Sequence, residues 1–142
     1  MRCDCGPITL NLPPGWFDTT IDDLPLTLSK ADGVGALQFS VATYKEGSRP
    51  NIDVAALVSM LNEFAETKSL GRLSDQLQTQ EDFALVAASF KMDENAHGRI
   101  WYISDSCNLA KITYVCEQEL PYSELQEVEQ IVRSLLFSLS DA

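Results

Sequence analysis

Two segments of the chain carry apolar residues three and four positions apart, and this spacing predicts two amphipathic helices. Asp53 can cap the first helix, and Gly71 fits its C-terminal stop. Ser123 and Gln126 have the spacing of a capping box at the start of the second. The apolar stripes are Val54, Leu57, Val58, Leu61, Phe64 and Ala65, and Leu125, Val128, Ile131, Val132, Leu135 and Leu136. Since neither helix can leave its stripe in water, both must pack on another layer.

Alternation of apolar and polar residues predicts that this other layer is a β-sheet. Predicted strands lie at about residues 8–12, 24–28, 37–44, 83–92, 99–105 and 111–118. The 99–105 strand is apolar at both parities, which predicts a central strand covered on both faces. The order is therefore β-β-β-α-β-β-β-α, and we expect one α+β domain over residues 1–142, with Leu61 and Ile131 in its core.

Charge limits the partners that this domain can take. The chain has 21 acidic and 10 basic side chains, a formal net charge of −11. Nucleic acid and anionic membranes are bound through Lys and Arg, so we expect neither as a partner. An acidic surface favours solubility, and it also suits a basic protein partner. Both interpretations stay open from the charge alone.

The cysteines and the start of the chain bear on its compartment. No apolar run approaches the roughly 20 residues of a membrane helix, and residues 1–7 lack the apolar stretch of a signal peptide. We therefore expect a cytoplasmic protein with reduced thiols. Cys3 and Cys5 do not have zinc-knuckle spacing, and Cys107 and Cys116 lie nine apart. No metal or disulfide is predicted, and Cys116 should be a small buried hydrophobe.

Catalytic and cofactor motifs are missing from the sequence. The single histidine, His97, lies in a polar stretch at 92–98 that resembles a calcium loop, but Ser104 stands where that loop needs a bidentate Glu. We interpret the stretch as a hairpin turn. Gly33-x-Gly35 is too short for a dinucleotide fingerprint. We expect a non-enzymatic protein with no cofactor, although a carboxylate pair or a thiol could still form a site.

The most informative cluster is acidic and lies late in the chain. Glu117, Glu119, Glu124, Glu127 and Glu129 fall within thirteen residues that contain no Lys or Arg. Glutamates in a first helical turn offset the positive end of the helix dipole, which explains Glu124 and Glu127 but not Glu117 or Glu119. Unpaired carboxylates repel one another. The sequence therefore predicts that these five form a solvent-facing surface that binds a basic partner protein.

The element order also resembles the PsbP-like fold, an antiparallel sheet with helices packed against it. The stretch at residues 12–16, Leu-Pro-Pro-Gly-Trp, and the close at 131–137, Ile-Val-Arg-Ser-Leu-Leu-Phe, are similar to patterns of its bacterial members. The resemblance implies a PsbP-like α/β sandwich in which Trp16 and Phe17 are core anchors. The superfamily includes a photosystem subunit, a Ran-binding import factor, envelope lipoproteins and adaptor chaperones for type VI secretion effectors.

Two functional hypotheses follow. The first is an acidic binding module, in its most concrete form an immunity protein that neutralises a basic toxin. The second, implied by the secretion-adaptor relatives, is a chaperone that shelters an apolar segment of a secreted effector. Fold resemblance alone does not choose between them.

Overall fold

A seven-stranded antiparallel sheet organises the molecule. The structure, a computed structural model, describes residues 2–4 (backbone alone), 8–21, 23, 25–42, 52–70, 72–80, 83–92, 96–105, 108–118 and 120–137. Its elements are β1 (Arg2–Asp4), β2 (Ile8–Asn11), β3 (Trp16–Asp18), β4 (Leu26–Lys30), β5 (Gly35–Ala42), α1 (Val54–Thr67), β6 (Ser74–Gln80), β7 (Ala84–Lys91), β8 (His97–Ser104), β9 (Leu109–Cys116), α2 (Tyr122–Arg133) and β10 (Leu136–Phe137). The large sheet has the order β3-β4-β5-β9-β8-β7-β6, and a smaller sheet has the order β1-β2-β10.

The predicted α+β class is confirmed, with both helices packed on antiparallel strands. The sequence did not predict β1, β3, β6 or β10. In β6 Leu77 is the single apolar residue, so this edge strand gives no alternation to detect. The other three span two or three residues each. The predicted ends at Leu24 and Tyr44 lie outside the described residues.

Helix α1 begins as predicted and ends differently. Asp53 is its N-cap, and the carboxylate accepts a hydrogen bond from the Ala56 amide at 3.0 Å. The helix ends at Thr67 with Lys68 as its C-cap, and Gly71, the expected stop, lies outside the described residues. Ser69 adopts a left-handed conformation (φ 53°), and the Leu70 amide donates to the Ala65 carbonyl at 2.9 Å. This pattern is a Schellman stop built on serine rather than glycine.

The strained serine gives a first prediction. Ser69→Gly should raise the free energy of unfolding by about 0.5–1 kcal/mol, because glycine has no Cβ to oppose a positive φ. Ser69→Ala keeps the Cβ and should not stabilise the protein. Chemical denaturation of the three proteins measures the difference. Equal stability of the Gly and Ala variants would contradict the left-handed stop.

Helix α2 differs from its prediction at both ends. Its N-cap is Pro121, which makes no side-chain capping bond, so the predicted Ser123–Gln126 capping box is wrong. The side-chain amide of Gln126 (Nε2) instead donates a hydrogen bond to the Tyr122 hydroxyl at 2.9 Å. The helix ends at Arg133, before the last two leucines assigned to its stripe. Leu135 is buried, whereas Leu136 is 53% exposed.

The large sheet is covered on both faces, and its core divides accordingly. Strand β8 is buried at both parities, which confirms that it is central. Trp101 and Ile103 lie in the cluster that includes α2, while Ile100 and Tyr102 lie in the cluster that includes α1. The predicted core positions of the two helices, Leu61 and Ile131, are both buried, as expected of mid-stripe residues.

Of the two core anchors that the PsbP-like resemblance implies, Trp16 and Phe17, strand alternation places only one in the core. Trp16 is buried, as implied, whereas Phe17 is 56% exposed, so its assignment as an anchor is wrong. Adjacent residues of a strand point to opposite faces, and β3 directs its tryptophan inward. The buried Cys116 of β9 confirms its interpretation as a small hydrophobe.

Candidate functional site

The structure turns three of the five glutamates of the predicted docking surface toward the sheet. Glu124 is buried, and Glu127 and Glu129 are half-buried and ion-paired. The expectation that these three are unpaired and solvent-facing is therefore wrong. Glu117 is exposed as expected, and Glu119 lies outside the described residues.

Glu124 joins the start of α2 to the start of β5. Its side chain is 6% exposed and accepts hydrogen bonds from the Val34 amide at 3.1 Å and the Gly35 amide at 3.2 Å. The Tyr114 hydroxyl of β9 donates to the same carboxylate. Burial and the hydrogen bond to Glu124 raise the pKa of Tyr114 above its usual value, so the phenol stays a donor. Such charge-assisted bonds are among the strongest in proteins.

Two glycines make room for this carboxylate. A Cβ atom at Gly33 would lie 2.5 Å from Glu124 Oε1, and one at Gly35 would lie 2.6 Å from the Tyr114 ring. Both separations are shorter than real Cβ contacts allow. The Gly-x-Gly pattern, too short for a nucleotide loop, thus leaves room for the Glu124 carboxylate at Gly33 and for its partner, the Tyr114 ring, at Gly35.

The other two inward glutamates tie α2 to strands on either side. Glu127 accepts from Lys30 Nζ of β4 at 2.8 Å. Glu129 accepts from Arg99 Nε of β8 at 2.9 Å and from Trp101 Nε1 at 3.3 Å. These contacts fix the helix across the sheet, so the three carboxylates hold the fold together.

One signal in the sequence could have shown the position of Glu124. It lies four residues before Val128 and seven before Ile131, which places it on the same helical face as these buried residues. The apolar residues alone predict a stripe that begins at Leu125, and its charge predicts a surface position for Glu124. The partners Lys30 and Arg99 could not be found this way, since they lie in distant strands.

An apolar groove lies between the end of α2 and strands β6 to β8. Its volume is about 420 Å³. The lining residues are Thr79, Phe83, Leu85, Ile103, Val132, Arg133, Leu135 and Leu136. The Phe83 ring meets the Phe137 ring edge to face, with centroids 5.8 Å apart. The groove therefore combines an aromatic edge, aliphatic walls and one arginine.

Sequence reasoning missed this groove, because it assigned the end of the chain's apolar run to a helix. Three consecutive apolar residues, 135–137, follow the end of the helix: Leu135 and Leu136 line the groove, and Leu136–Phe137 form β10. An apolar run that continues beyond the end of a helix was therefore the sequence signal that could have indicated the groove.

Two absences hold for the part of the chain that the structure describes. No group of three His, Cys, Asp or Glu side chains among them could hold a metal ion. Neither helix in the described part is both long and apolar enough to cross a membrane. His97 is half-buried at the start of β8, where the β7–β8 pairing confirms a hairpin, although residues 93–95 lie outside the described ranges. The side chains of Cys3, Cys5 and Cys107 also lie outside them.

Comparison with solved structures identifies the fold. No family model and no curated protein matches the chain. The solution structure of cyanobacterial PsbP (CyanoP) from Synechocystis sp. PCC 6803 is similar, with a TM-score of 0.64 and 9% identity over 97% of this chain and 92% of that one. A crystal structure of a protein from Bacteroides thetaiotaomicron VPI-5482 has a TM-score of 0.57 and 13% identity, covering 94% of this chain. The chain spans 46% of that protein. The predicted PsbP-like fold is therefore confirmed.

Proposed function

We propose that this chain is a cytoplasmic, non-enzymatic protein-binding module whose apolar groove holds an apolar segment of a partner protein. The groove between α2 and β6 to β8 is the observation that carries the proposal. Leu136 is 53% exposed there, and Phe83 and Leu85 are half-buried. Covering such surface contributes about 25 cal/mol per Å² toward binding, and the cost of ordering the bound segment is set against this gain.

Charge favours a basic partner. The formal net charge is −11, and exposed acidic side chains such as Glu117 and Glu66 add to a negative field at the surface. Opposite charge on the partner raises the association rate, while the groove supplies the contacts that hold the complex. The occupant is therefore an apolar segment of a basic protein, as in a chaperone or adaptor for a secreted effector.

The immunity-protein hypothesis draws on the same charge but loses most of its proposed contact residues. Glu124, Glu127 and Glu129 hold α2 on the sheet and leave few free carboxylate oxygens for a toxin. Glu117 is the remaining described member with an exposed side chain. A toxin inhibitor built on this fold would have to use other acidic residues, so the groove is the better-supported site.

The groove can be tested with a defined probe. We expect a lysine-rich amphipathic peptide with a leucine stripe to bind with a negative heat-capacity change, the mark of apolar burial. Leu136→Gln should weaken binding about fivefold to thirtyfold, which corresponds to roughly 1–2 kcal/mol of lost apolar contact. Ile21→Gln is the matched control, because Ile21 is equally apolar, 68% exposed and not part of the groove. Titration calorimetry at several temperatures measures both quantities.

A scrambled peptide of the same composition and charge separates apolar docking from charge attraction. It lacks the leucine stripe and should bind at least tenfold more weakly, by loss of about 1.4 kcal/mol or more. Equal binding of both peptides, or equal losses in Leu136→Gln and Ile21→Gln, would contradict the groove as the docking site and leave a purely electrostatic surface.

A further inference from the structure

A second cavity lies on the opposite face of the large sheet, beside α1. Its volume is about 230 Å³. Ser40 of β5 and Lys111 and Thr113 of β9 line its floor, and Phe64 of α1 and the C-cap residue Lys68 line one side. The rest of the wall is largely apolar, with the Phe90 ring among its contributors. The cavity thus joins two ammonium groups to an apolar wall.

Lys111 occupies an unusual position for a charged side chain. It lies on β9, the middle strand of the sheet, opposite Ser40 on one side and Tyr102 on the other. Its ammonium lies 4.7 Å from the centroid of the Phe64 ring, within cation–π range. Burial lowers the pKa of Lys111, and the nearby Lys68 ammonium lowers it further. The fold therefore holds this charge at a cost.

No carboxylate of the described residues forms an ion pair with either lysine; the pairs seen there are Lys30–Glu127 and Arg99–Glu129. This contrasts with the acidic excess of the whole chain, which has 21 acidic side chains to 10 basic. Two adjacent ammonium groups repel each other, and attraction to a bound anion would offset that repulsion. The local charge thus favours a negative ligand on an otherwise acidic protein.

A neighbouring cavity of about 250 Å³ helps to place the ligand. It shares Phe64, Lys68 and Lys111 with the first cavity, but it also contains the Glu63 carboxylate. An anion there would meet a like charge. The first cavity offers the Ser40 and Thr113 hydroxyls instead, which can donate hydrogen bonds to an anionic head group.

We propose that the cavity between α1 and β5–β9 binds a small organic carboxylate, with its head group at Lys68 and Lys111 and its apolar body against Phe64 and Phe90. This chemistry has two sources, a free carboxylic acid or the C-terminal carboxylate of a peptide that ends in an apolar residue. The site lies on the face opposite the groove and does not depend on the function proposed for it.

The probe is 3-phenylpropanoate, titrated into the ¹⁵N-labelled protein and followed by amide chemical shifts. We expect saturable shifts of the Gln38, Thr113 and Val115 amides. Lys111→Met keeps a side chain of similar length and removes the charge, and it should weaken binding about tenfold, as loss of a charge-assisted bond does. Lys68 is exposed, so Lys68→Met should fold and should also weaken binding even if the other variant does not fold.

Controls separate this site from general charge attraction. Lys91→Met removes an exposed lysine of β7, next in the chain to the cavity residue Met92, and should bind as the wild type does. The neutral amide 3-phenylpropanamide should bind at least tenfold more weakly. Absence of shifts up to millimolar probe, equal binding of the amide, or equal losses in Lys91→Met and Lys111→Met would overturn the proposal. Tighter binding of phenyl phosphate would replace the carboxylate head group with phosphate and also overturn it.

A short peptide that ends in phenylalanine distinguishes the two sources. Tighter binding of the peptide with a free C-terminus than of 3-phenylpropanoate supports a peptide carboxylate. Binding of the acid without binding of the peptide supports a free metabolite. Either result upholds the carboxylate site, whereas equal binding of the free and amidated peptides would count against it.

Discussion

Replacing Glu124 with lysine should lower the free energy of unfolding by about 3–5 kcal/mol and sharply lower the melting temperature. The substitution removes a carboxylate that accepts from the Val34 and Gly35 amides and from the Tyr114 hydroxyl, and it puts an ammonium group among the same donors. Breaking a buried charged network in this way costs about 3–5 kcal/mol, a large share of the stability of a typical domain. Thermal unfolding followed by circular dichroism measures the loss.

The matched control is Glu117→Lys. This substitution changes the net charge by the same amount, and Glu117 is exposed. It should melt within a few degrees of the wild type. Tyr114→Phe removes one donor and keeps the ring, so it should cost about 1–2 kcal/mol. A Glu124→Lys protein as stable as Glu117→Lys would contradict the inward position of the carboxylate.

The same contacts change how the acidic docking hypothesis must be tested. A combined reversal of Glu124, Glu127 and Glu129 to lysine would weaken the fold through lost contacts, so lost binding would carry no information about a basic partner. Glu117→Lys reverses an exposed charge and leaves those contacts in place. Its effect on the association rate at low and high salt is the informative measurement.

The sequence revealed long periodic elements well and charge placement poorly. The stripes of α1 and α2 were predicted because each apolar pattern recurs over several helical turns, and the double-sided burial of β8 because residues 100–103 are all apolar. Glu127 and Glu129 face the sheet because they pair with Lys30 and Arg99, which lie 97 and 30 residues away in the chain. The spacing of neighbouring residues in the sequence does not indicate an ion pair between such distant positions.

The groove and the lysine cavity escaped prediction for a related reason. Each is formed by residues from several elements that no single spacing connects, such as Phe83 with Leu136, or Phe64 with Lys111. Periodicity shows which face of an element is buried. It does not show where two covering elements stop short of each other and leave a cavity between them.

Replacing Ile131 with aspartate should abolish cooperative folding. Ile131 is fully buried in the cluster between α2 and the large sheet, beside residues such as Val128 and Leu37. An ionised carboxylate there has no partner, and the cost of burying it, added to the lost apolar contact, exceeds about 4–5 kcal/mol. Leu61→Asp should act in the same way through α1, since Leu61 is buried in the other cluster.

Two milder variants show that packing causes this loss. Ile131→Val removes one methylene group and should cost about 0.5–1.5 kcal/mol. Gln130→Asp adds the same charge one residue earlier, on the exposed side of α2, and should keep a cooperative transition. Thermal melts and near-ultraviolet circular dichroism report both cooperativity and tertiary packing. If Ile131→Asp melted cooperatively within a few degrees of Gln130→Asp, α2 would not be packed on the sheet through its apolar stripe, and the wall that α2 gives to the groove would have to be placed elsewhere.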